Sequence, residues 1–126
     1  MQFINSKKAP DALGPYSQAV KTANLLYCSG QTPINPQTMK IQFDDISNQT
    51  LIAINNLEKV LNEAGLNLSN VLKTNVFLID MAHFKEMNAV YEKCFGSHRP
   101  ARSTVAVLGL PANAMIEIEC IAEFNN

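Results

Sequence analysis

The sequence predicts an α+β fold in which two helices cover one face of a single mixed sheet. Two segments carry apolar residues at helical spacing, and shorter apolar segments before, between and after them are typical of strands. Their order along the chain, β-β-α-β-α-β-β, places both helices in the same layer. Because 126 residues suffice for one domain and not for two, we expect a single domain over residues 1–126.

The chain starts with a predicted β-hairpin. Its strands cover residues 18–22 and 25–29, and Ala23-Asn24 is expected to form the turn because asparagine tolerates a positive φ. The following segment, residues 31–40, contains two prolines among several polar residues. This composition predicts a loop.

Two amphipathic helices are predicted next. The first begins at the N-cap Asp45 and continues to about Ala64, where Gly65 ends it by adopting the left-handed conformation. The second includes Phe84 and stops at Gly96. The apolar stripes of the two helices consist of Leu51, Ile54, Leu57, Leu61 and Ala64 in the first and of Phe84, Met87, Tyr91 and Cys94 in the second.

Three further strands complete the predicted sheet. The segment 71–79 lies between the helices, and the lack of alternation at its apolar end predicts that both of its faces are covered. Residues 103–108 and 115–124 form the last strands, joined by a loop that contains Gly109 and Pro111. The helices leave one sheet face open, and oligomerisation is a natural way for so short a chain to cover it.

Composition disfavours several kinds of partner. Ten basic and 11 acidic side chains give a net charge of −1, without the basic excess that phosphate contacts require, so we expect no nucleic-acid partner. Cys28, Cys94 and Cys120 lie far apart in apolar surroundings, so we expect reduced, buried thiols and no metal. No apolar segment approaches the ~20 residues of a membrane span. With no signal peptide evident, we expect a cytoplasmic protein without a membrane partner.

Two pairs of charged residues are candidates for chemistry. The only arginines, Arg99 and Arg102, lie within residues 98–103, and arginine binds a carboxylate through two parallel hydrogen bonds, which lysine cannot do. Glu117 and Glu119 alternate with apolar residues, which puts both on one face of a strand. A glutamate facing a pocket is suited to act as a general base. From the pattern alone, a strand-edge arginine and two solvent-facing glutamates remain the simpler interpretation.

Two glycine-containing turns supply further polar groups. Residues 14–18 (Gly-Pro-Tyr-Ser-Gln) and 29–31 (Ser-Gly-Gln) lie near the ends of the predicted hairpin. Glycine lets a backbone N–H approach a ligand closely, and Tyr16 and Ser29 add hydroxyl groups. Turns are also rich in glycine, proline and serine for structural reasons, so these turns alone indicate no function.

Six short motifs follow one another along the chain. They are Gly14-Pro15-Tyr16-Ser17-Gln18, Ser29-Gly30-Gln31, Lys73-Thr74-Asn75-Val76-Phe77, Asn88 with Tyr91, Pro100-Ala101-Arg102-Ser103 and Ile116-Glu117-Ile118-Glu119. In order and spacing they resemble the motifs of the RidA family, also called the YjgF type, from about Ala9 to Ala122. Each motif is weak alone, but six in register outweigh the structural interpretation of Arg102 and Glu117.

The resemblance implies a chorismate-mutase-like fold and a homotrimer with three ligand sites in the clefts between subunits. It also implies a 2-iminobutanoate/2-iminopropanoate deaminase. Such an enzyme hydrolyses 2-aminoacrylate, 2-aminocrotonate and their imine tautomers to 2-oxo acids and ammonia. No cofactor is implied.

The resemblance assigns roles to individual residues. Arg102 would clamp the substrate carboxylate. Glu117 would activate a water molecule for attack on the imine carbon and return the proton to the departing ammonia. The implied catalytic residues are Glu117, Arg102, Tyr16 and Ser29, and the implied substrate-binding residues are Arg102, Gly30, Thr104, Tyr16 and Asn88.

Two features depart from the family pattern. Thr104 stands where many members have cysteine, a mild change if this position contributes mainly its backbone N–H. The loop of residues 95–100 is short compared with some members, and it can border the pocket. If the cysteine thiol contributes to the reaction, Thr104 implies a reduced activity. The short loop leaves the preferred size of the substrate open.

Three other functions are compatible with the same fold. A non-catalytic sensor of small 2-oxo or amino acids would use the same Arg102 clamp, and only Glu117 separates it from the enzyme. An RNA-directed role, as a ribonuclease or translation inhibitor, is disfavoured by the near-neutral charge and the lack of interleaved aromatics and arginines. Chorismate mutase rests on fold alone, and its dicarboxylate substrate would require more cations than Arg102 and Arg99.

Overall fold

The structure, a computed structural model that describes residues 1–125, contains eight strands and two α-helices within that range. The strands are β1 Gln2–Ile4, β2 Ala19–Thr22, β3 Leu25–Gln31, β4 Ile34–Asn35, β5 Lys40–Ile41, β6 Val71–Leu78, β7 Ala101–Ala106 and β8 Ile116–Glu123, and the helices are α1 Ile46–Glu63 and α2 Phe84–Phe95. Six strands form one sheet in the order β1-β2-β3-β8-β6-β7, in which β6 and β7 are parallel and the other neighbours antiparallel. The predicted α+β fold with a mixed sheet is confirmed, and the last residue of the predicted domain lies outside the described residues.

The central strands β6 and β8 show which face the helices cover. In β8, Ile116 and Ile118 are at most 1% exposed, whereas Glu117 and Glu119 between and beyond them are only half-buried. Strand β6 alternates in the same way, with Phe77 on the half-buried side. The prediction that both faces of this strand are covered is therefore wrong for a single chain, because helices pack on one face only.

The N-terminal strands differ from the prediction in three places. Strands β2 and β3 confirm the hairpin, but Ala23 rather than Asn24 has the positive φ, at 50°. Strand β1 was not predicted, because three residues are too short to show an alternating pattern. The predicted loop of residues 31–40 contains β4 and the start of β5, with Met39 at φ 59° in the turn between them.

Helix α1 begins and ends where predicted. The Asp45 carboxylate accepts a hydrogen bond from a backbone N–H of the first turn at 2.9 Å, and Gly65 takes φ 81° directly after the C-cap. Its buried face differs from the predicted stripe. Leu51 is 40% exposed, and the polar residues Gln49 and Asn56 are buried instead.

Helix α2 stops at Gly96, which has φ 64°, as predicted. Its predicted stripe is confirmed at Met87 and Tyr91, both buried. Phe95, rather than Cys94, completes the buried face. The buried face therefore follows positions spaced by four residues, Met87, Tyr91 and Phe95, and leaves Cys94 half-buried at its edge.

The last strands and the cysteines agree with the prediction in part. Strand β8 is confirmed, whereas β7 begins and ends two residues before the predicted 103–108, in parallel register with β6. Cys28 and Cys120 are buried opposite each other in β3 and β8, and Cys94 is half-buried; all three are free thiols. Within residues 1–125, no helix is long and apolar enough to span a bilayer.

The side chain of Gln18 fastens the N-terminal segment to the sheet. Its Oε1 accepts from the Ser6 backbone N–H at 2.6 Å, and its Nε2 donates to the carbonyls of Ser6 at 3.1 Å and Pro10 at 2.8 Å. The residue is 2% exposed. Since these backbone groups are removed from water, they depend on the Gln18 amide for hydrogen bonds.

We expect Gln18→Met to lower the free energy of unfolding by about 3 kcal/mol, because it keeps the side-chain volume but leaves buried backbone groups without partners. Urea unfolding at fixed protein concentration measures the difference. Gln37→Met, a change at an exposed glutamine, serves as the control and should change stability by less than about 0.5 kcal/mol. Equal stability of the two variants would show that the N-terminal segment does not depend on this amide.

Candidate functional site

Arg102 and Glu117, the two residues that the sequence singles out for chemistry, lie on opposite faces of the sheet. Arg102 in β7 pairs with Thr74 of β6, which is completely buried under the helices. Glu117 in β8 pairs with Phe77, three residues further along β6, and so points to the open face. Within one chain, the alternation of the strands keeps these two side chains apart.

Aromatic rings of α2 hold the Arg102 guanidinium. Its central carbon lies 4.8 Å from the centroid of the Tyr91 ring and 5.5 Å from that of Phe84, within the range of cation–π attraction. The Tyr91 hydroxyl is itself hydrogen-bonded to the hydroxyl of Thr74 at 2.8 Å. Arg102 Nη1 donates to Asn88 Oδ1 at 2.7 Å. Three residues of one helix face therefore fix the position of the guanidinium.

Arg102 lines a cleft of about 370 Å³, which we call the arginine cleft. It is lined by Asn88, Tyr91, Glu92, Arg99, Pro100 and Arg102. Arg99 forms an exposed ion pair with Glu92 at 3.4 Å. In the part of the chain that the structure describes, no carboxylate pairs with Arg102, so its charge is available to an anionic ligand.

A second cavity, of about 220 Å³, lies beside Glu117, and we call it the glutamate cavity. Its lining includes Leu13, Tyr16, Gly30, Ile34, Met39 and Glu117. The Glu117 side chain lies directly over Gly30: a Cβ at position 30 would clash with Oε2 and stand 2.7 Å from Cδ. Glycine at this position therefore leaves the space that the carboxylate occupies.

The surroundings of Glu117 change its acidity. Burial, together with the negative charge of Glu119, raises the pKa of the Glu117 carboxyl above its usual range. Glu119 lies two residues further along the same face and accepts a hydrogen bond from Asn75 Nδ2 at 3.0 Å. A carboxylate with a raised pKa is a stronger base, which suits proton abstraction from water.

The other predicted residues have different surroundings. Tyr16 lines the glutamate cavity and is 54% exposed. The hydroxyl of Ser29 donates to the Ser17 carbonyl at 2.7 Å, so it supports the turn. Thr104 lies on the same face of β7 as Arg102, and its Oγ1 is buried without a hydrogen-bond partner among the described residues.

The structure thus divides the predicted site residues into two groups. The glutamate cavity holds Tyr16, Gly30 and Glu117, and the arginine cleft holds Arg102 and Asn88. Asn88, predicted to bind the substrate, contacts Arg102 and so positions it. The sequence placed Phe84 and Tyr91 in the apolar stripe of the helix but did not predict their contact with Arg102, although their helical spacing with Asn88 was a usable signal. No group of three metal-ligating side chains exists within residues 1–125.

Comparison with known proteins finds relatives over nearly the whole chain. Residues 6–124 match the family model described as endoribonuclease L-PSP. A RutC family protein of Pyrococcus abyssi is 45% identical over 121 residues, which cover 96% of this chain and 95% of that protein. Reactive Intermediate Deaminase A, chloroplastic, of Arabidopsis thaliana is also 45% identical over 121 residues, which cover 96% of this chain and 65% of that protein.

A solved structure agrees with the fold in three dimensions. The E. coli protein TdcF with bound serine superposes on this chain with a TM-score of 0.94 at 35% sequence identity. The alignment covers 99% of this chain and 100% of that one. The arrangement of helices and strands is therefore shared with a protein whose structure holds a small amino acid.

We expect Glu117→Gln to leave the free energy of unfolding unchanged or to raise it at neutral pH. The pKa of Glu117 is raised in the folded state, so the native protein binds the carboxyl proton of Glu117 more tightly than the unfolded chain does. Above the folded pKa, ionisation of this carboxyl group therefore lowers the free energy of unfolding. The gain should shrink as the pH falls through that pKa. Urea unfolding between pH 4 and 8 measures it, with Glu63→Gln on the exposed end of α1 as the charge control. A clear loss of stability at pH 7 would mean that this carboxylate supports the fold.

Proposed function

Because the chain belongs to the endoribonuclease L-PSP family, which includes the RutC and RidA proteins, we propose that it hydrolyses small 2-imino acids to 2-oxo acids and ammonia. The family match confirms the resemblance predicted from the six motifs. The name of the Arabidopsis relative, a reactive intermediate deaminase, supports the reaction. The proposed substrates are 2-aminoacrylate, 2-aminocrotonate and their imine tautomers. The observation that carries the proposal is the half-buried Glu117 carboxylate, with its raised pKa, at the wall of a small cavity.

A complete site requires a second copy of the chain. Arg102 and Glu117 lie on opposite faces of one sheet, and the open face carries apolar side chains such as Tyr27 and Val105, which are 46% and 48% exposed. Covering that face with another copy would bury them. We therefore place Arg102 of a neighbouring subunit at the mouth of the glutamate cavity, in a homotrimer with three such sites.

Binding in this site depends on the substrate carboxylate. Arg102 receives it through parallel N–H donors, while Tyr91 and Phe84 keep the guanidinium in place. Backbone N–H groups near Gly30 and Thr104 share the negative charge. Fixing the carboxylate also fixes the neighbouring imine carbon relative to Glu117 of the other subunit.

Hydrolysis then follows from proton transfers at Glu117. The carboxylate accepts a proton from a water molecule as the water oxygen bonds to the imine carbon, and the C=N π electrons move to nitrogen. Glu117 returns the proton to nitrogen, which gives a carbinolamine. It then transfers the carbinolamine hydroxyl proton to the amino group, so that the C–N bond breaks, ammonia leaves and the C=O bond of the 2-oxo acid forms. An enamine substrate is first protonated at its terminal carbon, with the Tyr16 hydroxyl within the cavity to assist, while Ser29 supports the turn. These steps use the chain's own residues and require no cofactor.

A ligand-binding regulator is the second candidate, favoured by the serine bound to the E. coli relative. It would use Arg102 in the same way but would not need an ionisable residue 117. An RNA-directed role, which the family description names, is less favoured. The net charge is −1, and Glu117 and Glu119 on the open face would repel phosphate groups.

The proposed setting is the cytoplasm. Cys28 and Cys120 face each other across β3 and β8 and remain free thiols. A reducing compartment preserves such a pair, whereas an oxidising one favours disulfides.

Purified protein should shorten the lifetime of imines released by a threonine or serine dehydratase, measured as reduced trapping by semicarbazide and faster 2-oxo acid formation. We expect Glu117→Gln to slow imine hydrolysis by about 10²- to 10⁴-fold, because the general base is lost, while binding of 2-oxobutanoate persists. Arg102→Ala should lose both imine hydrolysis and 2-oxobutanoate binding. Lys85→Ala, which removes a positive charge from the exposed side of α2, serves as the control. Normal turnover by Glu117→Gln would rule out the mechanism, and ligand binding without turnover in the wild type would favour the regulator.

Mixing two inactive variants tests whether each site is shared between subunits. Co-refolded Arg102→Ala and Glu117→Gln chains should regain about a quarter of the wild-type activity, because a random mixture combines an intact Arg102 with an intact Glu117 in that fraction of interfaces. Mass spectrometry under native conditions verifies that the subunits have mixed. Mixed trimers without activity would show that both residues act within one chain or in separate sites.

A further inference from the structure

We propose that the glutamate cavity receives the side chain of the substrate and selects imino acids with an extended aliphatic side chain over those with a methyl or an acidic one. This inference rests on the proposed function and adds a substrate class to it. Four features of the cavity support it: its position relative to Glu117, its apolar wall, the anchoring of that wall and its charge.

The direction of the side chain follows from the geometry of the imine carbon. That carbon is planar and carries the nitrogen, the carboxylate carbon and the first carbon of the side chain. If Arg102 of the neighbouring subunit holds the carboxylate and Glu117 holds the attacking water over the plane, the nitrogen and the side chain both point away from Arg102. The apolar lining of the cavity suits the side chain rather than the nitrogen. The space on the side away from Arg102 is the glutamate cavity, whose volume is about 220 Å³. Since one molecule of liquid water takes about 30 Å³, this space accepts more than a methyl group.

Much of the cavity wall is apolar. Leu13, Ile34 and Met39 line it, together with Pro10 and Pro111. Leu13 is 75% exposed in the single chain, so a ligand that covers it would remove apolar surface from water. An unbranched aliphatic chain fits such a wall, and methionine adapts its shape to side chains of different length.

This wall is anchored from the core. Asn56 of α1, which is completely buried, donates through Nδ2 to the carbonyls of Thr32 at 3.1 Å and Ile34 at 2.8 Å. The Met39 backbone N–H donates to the Asn35 carbonyl at 2.8 Å, and Met39 holds φ 59°. The β4–β5 hairpin is thereby tied to the helix, so its two apolar side chains form a preformed surface rather than a loose flap.

The charge of the cavity opposes acidic side chains. Asp11 and Glu117 both line it, and within the described residues it has no lysine, arginine or histidine in its lining. An aspartate- or glutamate-derived imine would place a second carboxylate among these groups without a cation to pair it. Burying such an unpaired charge is strongly unfavourable.

The test compares imines that differ only in the side chain. An L-amino acid oxidase with catalase generates them from alanine, 2-aminobutyrate, norvaline, norleucine and aspartate, and semicarbazide traps what the protein leaves. We expect kcat/KM to rise by about 3- to 4-fold for each added methylene group as far as norvaline or norleucine, and to be lowest for aspartate. Met39→Ala should flatten this rise, whereas Leu51→Ala, at an exposed leucine on α1, should not change it.

Binding of the matching 2-oxo acids, measured by calorimetry, provides a readout without catalysis. In the wild type, we expect the affinity for 2-oxo acids to rise with chain length in the same way. In Met39→Ala, this rise should be lost. If hydrolysis is fast but neither hydrolysis nor binding depends on chain length, the side-chain assignment is overturned and the deaminase stands. If no imine is hydrolysed but binding is graded and Met39→Ala removes the gradation, the deaminase fails and the cavity assignment stands. A preference for the acidic member would overturn the assignment directly.

Discussion

The alternation of side chains along β6 and β8 is the constraint on which the rest of the structure depends. Ile116 and Ile118 turn into the core, and Glu117 between them must turn to the open face. Strand β7 follows β6 in register, which commits Arg102 to the helix side. A one-residue slip of the β6–β8 pairing would turn Glu117 into the core, and a one-residue slip of the β6–β7 pairing would turn Arg102 to the open face. The stability of the core and the placement of the two charged groups are therefore set by the same register.

Buried amide side chains hold the segments outside the main sheet and the helices in position through hydrogen bonds to their backbone. Gln49 of α1 accepts from the Met115 backbone N–H and donates to the Phe43 carbonyl, both at 2.8 Å. Gln18 likewise accepts from and donates to the N-terminal segment, and Asn56 donates to the Ile34 carbonyl of the β4–β5 hairpin. Each amide bonds to backbone groups that would otherwise be buried without partners. The cavity walls are thus held in position by side chains that belong to the core.

The sequence predicted the elements whose signals are local. Asp45 and Gly65 bound α1 through capping chemistry that involves only their own neighbours, and both helices and the hairpin follow from apolar spacing. Strand β1 and the burial of Gln49 and Asn56 depend on partners distant in the chain, so a polar residue at those positions resembles a solvent-facing one. The motifs predicted the candidate site residues, but the separation of these residues onto two faces depends on the pairing of β7 with β6, which no local pattern reveals.

The close contact between Gly30 and Glu117 limits the order in which descendants of this chain can change. A side chain at position 30 collides with the carboxylate, so it is tolerated only after residue 117 has become smaller. A path in which residue 117 changes first passes through folded intermediates at each step. Once position 30 carries a side chain, however, a glutamate can no longer return to position 117 without a second change. Loss of the carboxylate at position 117, followed by a side chain at position 30, would therefore be difficult to reverse by single substitutions.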